Sequence, residues 1–151
     1  LQRKKKPSDQ VLEIDVNIDD MTGEQLGYVM ERLLEAGALD VYFSHIQMKK
    51  NRPGIKLSVL CKAEKQQELT KLLLTHTSTF GVRYQVMDRS ILDREFIQVE
   101  TEYGTVSCKI GRLEGEIVKI QPEYEDCKKI AIEQALPISK VFNETLSRLK
   151  A

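Results

Sequence analysis

The chain contains no tryptophan, and its 151 residues include only five tyrosines and four phenylalanines. It therefore lacks the row of aromatic platforms on which single-stranded nucleic acids stack. It also lacks an excess of either charge, because 23 Lys and Arg balance 23 Asp and Glu, whereas nucleic-acid-binding domains are usually basic. No apolar run approaches the roughly 18 residues of a membrane span. We expect neither nucleic acid nor a membrane as a partner.

Cysteine and histidine are scarce and widely spaced. Cys61, Cys108 and Cys127 form no CxxC pair, so neither a zinc ribbon nor a thioredoxin motif is present. An odd number of separated cysteines is typical of reduced thiols in the cytoplasm, and we predict a cytoplasmic protein. His45 and His76 form no HxxxH pair, and we favour structural roles for both over metal binding.

The common nucleotide-binding motifs are missing as well. There is no Gly-rich Walker loop, no GxGxxG and no Ser-His-Asp set, which disfavours a P-loop NTPase and a Rossmann enzyme. Residues 1–10, "LQRKKKPSDQ", are basic but have no apolar segment and no initiator Met. A signal peptide needs such a segment. We expect these residues to be a linker in a chain cut from a longer protein.

A regular order of strand and helix patterns is present instead. Apolar residues alternate through 11–18, as in a half-buried strand. Thr22 and Gln25 form a capping-box pattern before a helical repeat that ends at Gly37. A strand over 39–48, a turn over 49–54, a strand over 55–62, a helix over 63–75 and a strand over 81–88 follow. This β-α-β-β-α-β order is ferredoxin-like. It predicts an antiparallel sheet of strand order 4-1-3-2 with both helices on one face.

The rest of the chain has the pattern of a second small unit. Three strand-like runs occupy 95–121, and helical stretches follow over about 122–135 and 138–150. Pro137 separates the two helices, because proline ends one helix and suits the first turn of the next. We predict an α+β fold with a linker over 1–10, a ferredoxin-like domain over 11–93 and a small α+β subdomain over 94–151.

Three loops are expected at one end of the first sheet, because right-handed crossovers make strands one and two run opposite to strands three and four. The loops are 17–24, 49–54 and 76–83. Carboxylates suit Mg²⁺ or Mn²⁺, and cations beside a helix N-terminus suit phosphate. The residues concerned are Asp19, Asp20, Lys49, Lys50 and Arg52, with Thr77, Ser78 and Thr79 as hydroxyl donors and Arg83 and Arg89 on the fourth strand.

Two interpretations of this charge pattern stay open. One is a seat for a metal–triphosphate group. The other is that the acids simply start a helix beside a solvated basic turn. Acids also open a helix of the second unit in "PEYEDCKKIA" (122–131). We favour the ordinary helix-dipole role for them, with Glu123 as a further metal ligand the alternative.

The outer face of the first sheet carries both apolar and charged residues. Strand two is partly apolar on both faces, with Tyr42, Ile46 and Met48 outward. We therefore expect the second subdomain, a partner subunit or a ligand ring to cover that face. Cross-strand salt bridges are the favoured explanation for its polar residues, which are Glu13, Asp15, Asn17, Arg83 and Gln85.

Several long blocks resemble the LarC family of nickel insertion proteins. The most recognisable is "NIDDMTGEQLGYVMERLLEAGALDVYFSHIQMKKNRPG" (17–54). "TSTFGVR" (77–83), followed by Arg89 and Arg94, and then "PEYEDCKKIA" resemble further family blocks in the right order. The resemblance runs over about residues 11–135.

The resemblance implies a function for the full-length protein. LarC proteins insert Ni²⁺ into pyridinium-3,5-bisthiocarboxylic acid mononucleotide and so form the carbon–nickel and sulfur–nickel bonds of the nickel-pincer cofactor of lactate racemase. They use CTP with Mn²⁺ or Mg²⁺, through a cytidylylated intermediate. A CTP-dependent nickel chelatase of the lyase class is thus implied. This chain resembles its C-terminal, CTP-binding part. The implied partners are CTP, the pyridinium mononucleotide, the N-terminal half of the same protein and further copies in a homo-oligomer.

The family blocks also carry candidate site residues, whose individual roles we infer from their chemistry. The nucleotide-binding candidates are Lys49, Lys50, Asn51, Arg52, Arg83 and Arg89, and the metal candidates are Asp19, Asp20 and Glu123. No catalytic residue is assigned. We expect the metal and the cations to neutralise the triphosphate as pyrophosphate leaves.

The chain departs from the family in one respect. Family members commonly carry an N-terminal half with a histidine-rich segment, and this sequence has neither. We therefore do not expect nickel storage or delivery here, and activity of this part alone stays open. A non-enzymatic ferredoxin-like ligand-binding or oligomerisation module is the alternative, because fold alone implies no activity.

Overall fold

A computed structural model describes residues 9–149 of the chain. The chain divides into two compact units, the first ending at Ser90 and the second beginning at Ile91. This division lies three residues before the sequence-based boundary at 93/94. Each unit is described by itself below.

The first unit has the predicted β-α-β-β-α-β order. Its elements are β1 (Asp9–Ile18), α1 (Gly23–Glu35), β2 (Asp40–Met48), β3 (Arg52–Cys61), α2 (Gln66–His76) and β4 (Arg83–Arg89). The four strands form one sheet in the order β2-β3-β1-β4, and every neighbouring pair is antiparallel. The predicted ferredoxin-like strand order is confirmed.

Three local predictions need correction. Asp9 and Gln10, assigned to the linker, already belong to β1, because they pair with Arg89 and Asp88 of β4. Residues 1–8 of that predicted linker lie outside the described residues. The turn predicted over 49–54 is shorter, since β3 begins at Arg52 and only Lys49–Asn51 form the loop. The helix predicted from 63 begins at Gln66, after a 3₁₀ turn over Ala63–Lys65, a frequent form of helix start.

Helix α1 begins and ends as its sequence predicts. The Gln25 backbone N–H donates to Thr22 Oγ1 at 3.2 Å, and the Thr22 N–H donates to Gln25 Oε1 at 2.9 Å. These two bonds satisfy donors that a helix start otherwise leaves unpaired. After the helix, Gly37 adopts φ +102°, a left-handed conformation in which residues with a Cβ are strained. Both ends of the helix are therefore set locally.

The core of the first unit lies between the sheet and its two helices. Alternate residues of β1 and β3 face the helices, and one apolar side of each of α1 and α2 faces the sheet. The buried set includes Ile14, Val16, Leu57 and Val59 from the strands and Leu26, Val29, Leu33, Leu69 and Leu73 from the helices. Both helices therefore cover one face of the sheet, as predicted, and the opposite face is its outer face.

The second unit is a three-stranded sheet with two helices. Its strands are β5 (Asp93–Thr101), β6 (Gly104–Leu113) and β7 (Glu116–Pro122), in the order β5-β6-β7. The helices are α3 (Tyr124–Glu133) and α4 (Ile138–Leu149), and Pro137 lies between them. Its core is formed by strand and helix residues together, namely Val99, Val106, Cys108, Ile110, Cys127, Ile130 and Val141. The predicted small α+β unit is confirmed.

The three cysteines are free and buried. Burial raises the pKa of all three thiols, and neighbouring Cys127 and Asp126 raise that of Cys108 further. Raised pKa values disfavour the reactive thiolate, so these side chains act as core residues. Among the described residues, no helix combines the length and apolarity that crossing a bilayer requires.

Candidate functional site

The three loops predicted to meet at one end of the first sheet do meet. Asp19, which follows β1, lies 3.5 Å from Arg52 at the hairpin (Arg52 Nη1 to Asp19 Oδ2). The next residue, Asp20, accepts a hydrogen bond from the Ser78 hydroxyl in the loop between α2 and β4. The Ser78 N–H in turn donates to Met21 Sδ at 3.4 Å. The segment after β1 therefore contacts both other loops.

The β2–β3 hairpin presents its basic residues on a three-residue loop. β2 and β3 pair as far as Met48 and Arg52, which leaves Lys49, Lys50 and Asn51 between them. Both ammonium groups are exposed, and no ion pair joins either of them to another described residue. Two exposed cations that no described residue pairs with can bind an anion without first breaking an ion pair to one of those residues.

The conformation of this loop is unusual for its sequence. Lys50 and Asn51 adopt φ values of 58° and 62°. Asn tolerates this left-handed region, whereas lysine pays a steric cost there. The Gln47 Nε2 amide donates to Asn51 Oδ1 at 3.1 Å, which holds the second of the two residues.

Gly54 allows the hairpin to approach the end of β1. A Cβ built on Gly54 would lie 2.4 Å from Met48 Sδ and 2.9 Å from the backbone oxygen of Ile18. Because the backbone oxygen cannot move aside as a flexible side chain can, only glycine fits here without displacing a strand. The residue after Ile18 is Asp19, so this close approach brings the basic loop beside the Asp19–Asp20 segment.

The hydroxyl groups expected to bind phosphate are already in use. Thr77 Oγ1 donates to the Leu73 carbonyl at 2.6 Å, and Thr79 Oγ1 donates to the Gly81 carbonyl at 2.8 Å. Ser78 donates to Asp20. A hydroxyl has one proton to donate, so the expectation of three free hydroxyl donors is wrong. In the same loop the Phe80 side chain is fully exposed, a feature that we did not predict from the sequence.

Arg83 and Arg89 are at opposite ends of β4. Arg83 lies at the loop end and donates from Nη2 to Asn17 Oδ1 at 2.9 Å. Arg89 pairs with Asp9 at the other end of the sheet, with Nε 2.7 Å from Asp9 Oδ2. The two residues are six steps apart along the strand, about 20 Å at roughly 3.3 Å per step. The structure therefore brings Arg83, but not Arg89, to the three loops.

Hydrogen bonds, rather than the expected salt bridges, organise the outer face of the first sheet. Glu13 accepts from the Tyr42 hydroxyl at 2.9 Å and from Gln85 Nε2 at 3.1 Å. Asp15 accepts from the Ser58 hydroxyl at 2.7 Å. The bond from Gln85, followed by that from Tyr42, lowers the pKa of Glu13, while the bond to Glu13 raises the pKa of Tyr42.

The three metal candidates divide between the two units, with Asp19 and Asp20 adjacent in the first. Glu123 caps α3 in the second unit, where its backbone N–H donates to the Ser107 carbonyl at 2.8 Å. Across residues 9–149, no group of three or more His, Cys, Asp or Glu side chains could hold a metal ion. The part of the chain that the structure describes therefore offers no cluster of three such ligands. Asp19 and Asp20 do suit Mg²⁺ or Mn²⁺ bound with phosphate, which commonly uses one or two carboxylates and keeps several waters.

Comparison with known proteins now adds to this geometry. The family model for nickel insertion proteins matches residues 1–142.

The chain belongs to the nickel insertion protein family.

The chain is 46% identical over 140 residues to the pyridinium-3,5-bisthiocarboxylic acid mononucleotide nickel insertion protein of Acetivibrio thermocellus, covering 93% of this chain and 34% of that protein. It is 48% identical over 141 residues to the protein of the same name from Lactiplantibacillus plantarum, covering 93% of this chain and 33% of that one. The chain thus spans about a third of the length of these curated relatives.

Solved structures agree with the family assignment. One is described as LarC2, the C-terminal domain of a cyclometallase involved in the synthesis of the NPN cofactor of lactate racemase. It matches with a TM-score of 0.86 and 46% identity, covering 96% of this chain and all of that chain. A protein of Methanopyrus kandleri matches with a TM-score of 0.70 and 26% identity, covering 91% of this chain and 86% of that one. The resemblance to LarC is confirmed.

Proposed function

We propose that this chain is the nucleotide-binding part of a nickel insertion protein that acts on pyridinium-3,5-bisthiocarboxylic acid mononucleotide. Two relatives carry that substrate in their names, and the matching solved domain belongs to a cyclometallase. The inserted metal is Ni²⁺, which is substrate here and not a resident cofactor. The remaining two thirds of such a protein, including its N-terminal half, is the partner that completes the reaction.

One observation carries the proposal that CTP binds at the hairpin end of the first unit. The contacts of Asp19 with Arg52, and of Asp20 with Ser78, bring a carboxylate pair beside Lys49, Lys50 and Arg52. A triphosphate with a divalent ion carries both charge signs and complements both sets. If the basic turn were only solvated, nothing would require the carboxylates to lie next to the cations. Their contact therefore favours the metal–triphosphate interpretation.

Each residue has a role that follows from its position. The ammonium groups of Lys49 and Lys50 bind phosphate oxygens, and Arg52 supplies a planar fork for two of them. Asn51 orients the loop through Gln47. Asp19 and Asp20 would hold Mn²⁺ or Mg²⁺, which would supply charge neutralisation to the triphosphate. In this proposal Arg83, at the start of β4, contacts a more distant phosphate. Arg89 is left out because it lies at the other end of the strand.

The proposed chemistry is cytidylyl transfer. An anionic oxygen or sulfur of the acceptor forms a bond to the α-phosphorus of CTP, while the bond to the bridging oxygen of the β-phosphate breaks and pyrophosphate leaves. Lys49, Lys50 and Arg52 stabilise the negative charge that builds on the leaving pyrophosphate, because fixed cations near developing charge lower the barrier. The exposed ring of Phe80 offers a stacking surface for the base.

Calorimetric titration tests this proposal. The chain is titrated with CTP and with ATP, each with and without Mn²⁺. A Lys49→Ala/Lys50→Ala variant is compared with a Lys128→Ala/Lys129→Ala control, which removes two exposed lysines of α3. We expect Mn²⁺-dependent CTP binding that only the hairpin variant loses. CTP binding that survives in the hairpin variant overturns the site, and no nucleotide binding by the folded chain favours a scaffold or oligomerisation role.

We also propose that the chain assembles as a homo-oligomer through the edge of its first sheet. β4 is an edge strand, and Tyr84 and Val86 on it are 57% and 61% exposed. Edge strands with unpaired backbone groups favour pairing with another chain. Light scattering of the wild type and of Val86→Lys tests this, since a charge on the edge should shift the protein toward the monomer. An unchanged mass for Val86→Lys overturns the β4 interface.

A further inference from the structure

The outer face of the second sheet holds a cavity that no step above uses. Val106, Cys108 and Ile110 of β6 face the helices α3 and α4 and are buried. The alternate residues of β6, including Lys109 and Gly111, face the other way. A cavity of about 230 Å³ opens there, lined by Ile91, Leu92, Arg94, Lys109, Gly111, Lys119 and Gln121.

Strand pairing places the cations of this cavity around a glycine. Gly111 lies directly between Arg94 of β5 and Lys119 of β7. Neighbouring strands are about 4.8 Å apart, so the backbones of Arg94 and Lys119 lie about that far from Gly111, one on each side. Lys109 is two residues from Gly111 on the same face and lies opposite Gln121. Three positive side chains therefore surround one opening.

Gly111 also makes room for an apolar wall. A Cβ on Gly111 would lie 2.7 Å from Leu92 Cδ1, so Leu92 packs onto the glycine where a side chain would otherwise stand. Gly111 has no positive φ, and its backbone therefore does not require glycine. A glycine within a strand often marks the close approach of another group. Leu92 and Ile91 thus add an apolar surface beside the cations.

The charges of the cavity are not neutralised within the described residues. Between Asp9 and Leu149, no ion pair or hydrogen bond holds the side chains of Arg94, Lys109 or Lys119. Nearby Arg112, in contrast, pairs with Glu95 at 2.8 Å. Like charges at one opening repel each other, and a bound anion removes that repulsion. The cavity therefore combines a wall for an apolar ring with a positively charged rim.

We propose that this cavity binds a pyridine ring that carries carboxylate-type anions, the acceptor end of the substrate. The inference rests on the proposed function, since it places the acceptor in the second unit and CTP in the first. At about 230 Å³ the cavity is smaller than the roughly 300–1,000 Å³ of whole-ligand pockets. It suits a ring with its anionic substituents, and the rest of the mononucleotide extends outward.

An NMR titration of the full chain with pyridine-3,5-dicarboxylate tests the inference. Inorganic phosphate serves as an anion without a ring. The site variant is Lys109→Gln/Lys119→Gln. The control is Lys128→Gln/Lys129→Gln, which removes the same charge from α3 in the same unit. The amide spectra report folding of every variant, and CTP with Mn²⁺ is titrated separately.

We expect saturable dicarboxylate binding, with shifts at Lys109, Gly111 and Lys119, in the wild type and in the control. The site variant should bind at least about tenfold more weakly, as loss of one good charged contact predicts, and phosphate should bind more weakly than the dicarboxylate. Absence of dicarboxylate binding, or equal binding by the site variant, overturns the inference. Loss of the CTP site alone, with dicarboxylate binding intact, overturns the hairpin proposal and leaves this one standing.

Discussion

The two sheets have outer faces of opposite character. On the first sheet, Glu13 and Asp15 are only 9% and 8% exposed, yet both carboxylates accept hydrogen bonds. Tyr42 and Gln85 donate to Glu13, and Ser58 donates to Asp15. Because their donors come from the three other strands of the sheet, these carboxylates are part of the architecture of the sheet.

On the second sheet, the charges around the cavity are positive and without such partners among the described residues. Arg94, Lys109 and Lys119 surround a cavity and make no ion pair within residues 9–149. A charge that its neighbours satisfy contributes to stability, whereas a cluster of unsatisfied charges is available to a ligand. The contrast separates a structural polar face from a candidate binding face, and the four predictions below test it.

The largest effect on stability is expected from Glu13→Ala. It removes the acceptor of the Tyr42 hydroxyl and the Gln85 amide. Because both donors are exposed and can bond water instead, we expect a loss of about 0.5–1.5 kcal/mol, the net contribution of a hydrogen bond. Urea denaturation measures the change. The exposed Glu31→Ala on α1 is the control and should alter stability little. Equal effects of the two changes contradict a structural role for Glu13.

The dependence of stability on pH should also show the contribution of the Glu13 carboxylate. The hydrogen bonds from Gln85 and Tyr42 lower the pKa of Glu13 below its usual value of 4.5. Its stabilising effect is therefore complete above that value and is lost as the pH falls through the lower, folded-state pKa. Urea midpoints of the wild type and Glu13→Gln should converge as the pH falls below 4.5. A constant difference down to acid pH contradicts this.

A gain in stability is expected from Lys50→Gly at the hairpin. Lysine at φ 58° carries a left-handed conformation that costs about 1 kcal/mol. Glycine removes that cost but adds freedom to the unfolded chain, so we expect a net gain below about 1 kcal/mol. CTP affinity should fall in the same variant. Asn51→Gly is the comparison and should gain less, because asparagine tolerates the left-handed region. A stability loss in Lys50→Gly contradicts the prediction.

The smallest effect is expected from Lys119→Ala on the second sheet. Because Lys119 makes no ion pair with another residue of 9–149, its removal should change stability by less than about 0.5 kcal/mol, measured in the same urea series. Lys140→Ala is the comparison. It removes a lysine whose ammonium group does contact a neighbour, since it lies 5.7 Å from the centre of the Tyr103 ring. A clear destabilisation by Lys119→Ala means that the cation stabilises the fold and weakens the contrast between the two faces.

Much of the site region was predictable because topology follows from connection rules. The order of strands and helices, with the right-handed crossover, sufficed to place Asp19, Arg52 and Ser78 near one another. The prediction that Arg89 lies near the three loops was wrong, because Arg89 is at the other end of β4, six residue steps and about 20 Å from Arg83. The hydroxyls of Thr77 and Thr79 were misjudged because local backbone carbonyls compete for their protons.

The cavity of the second unit was not predicted at all. Arg94, Lys109 and Lys119 are scattered along the chain, and only the strand register brings them to one face around Gly111. That register includes a bulge between Gly111 and Arg112, and no pattern in the sequence predicts this bulge. A glycine inside a strand, two residues after Lys109, was the available signal, and it is weak.

The sequence by itself determined the element order, the helix ends at Thr22 and Gly37, and the family, because these depend on local propensity and on long runs of matching residues. Only the tertiary structure decided which charges are paired and which are not. Pairing depends on distances of about 3 Å between side chains far apart in the chain, and these distances follow from the register and packing of the strands.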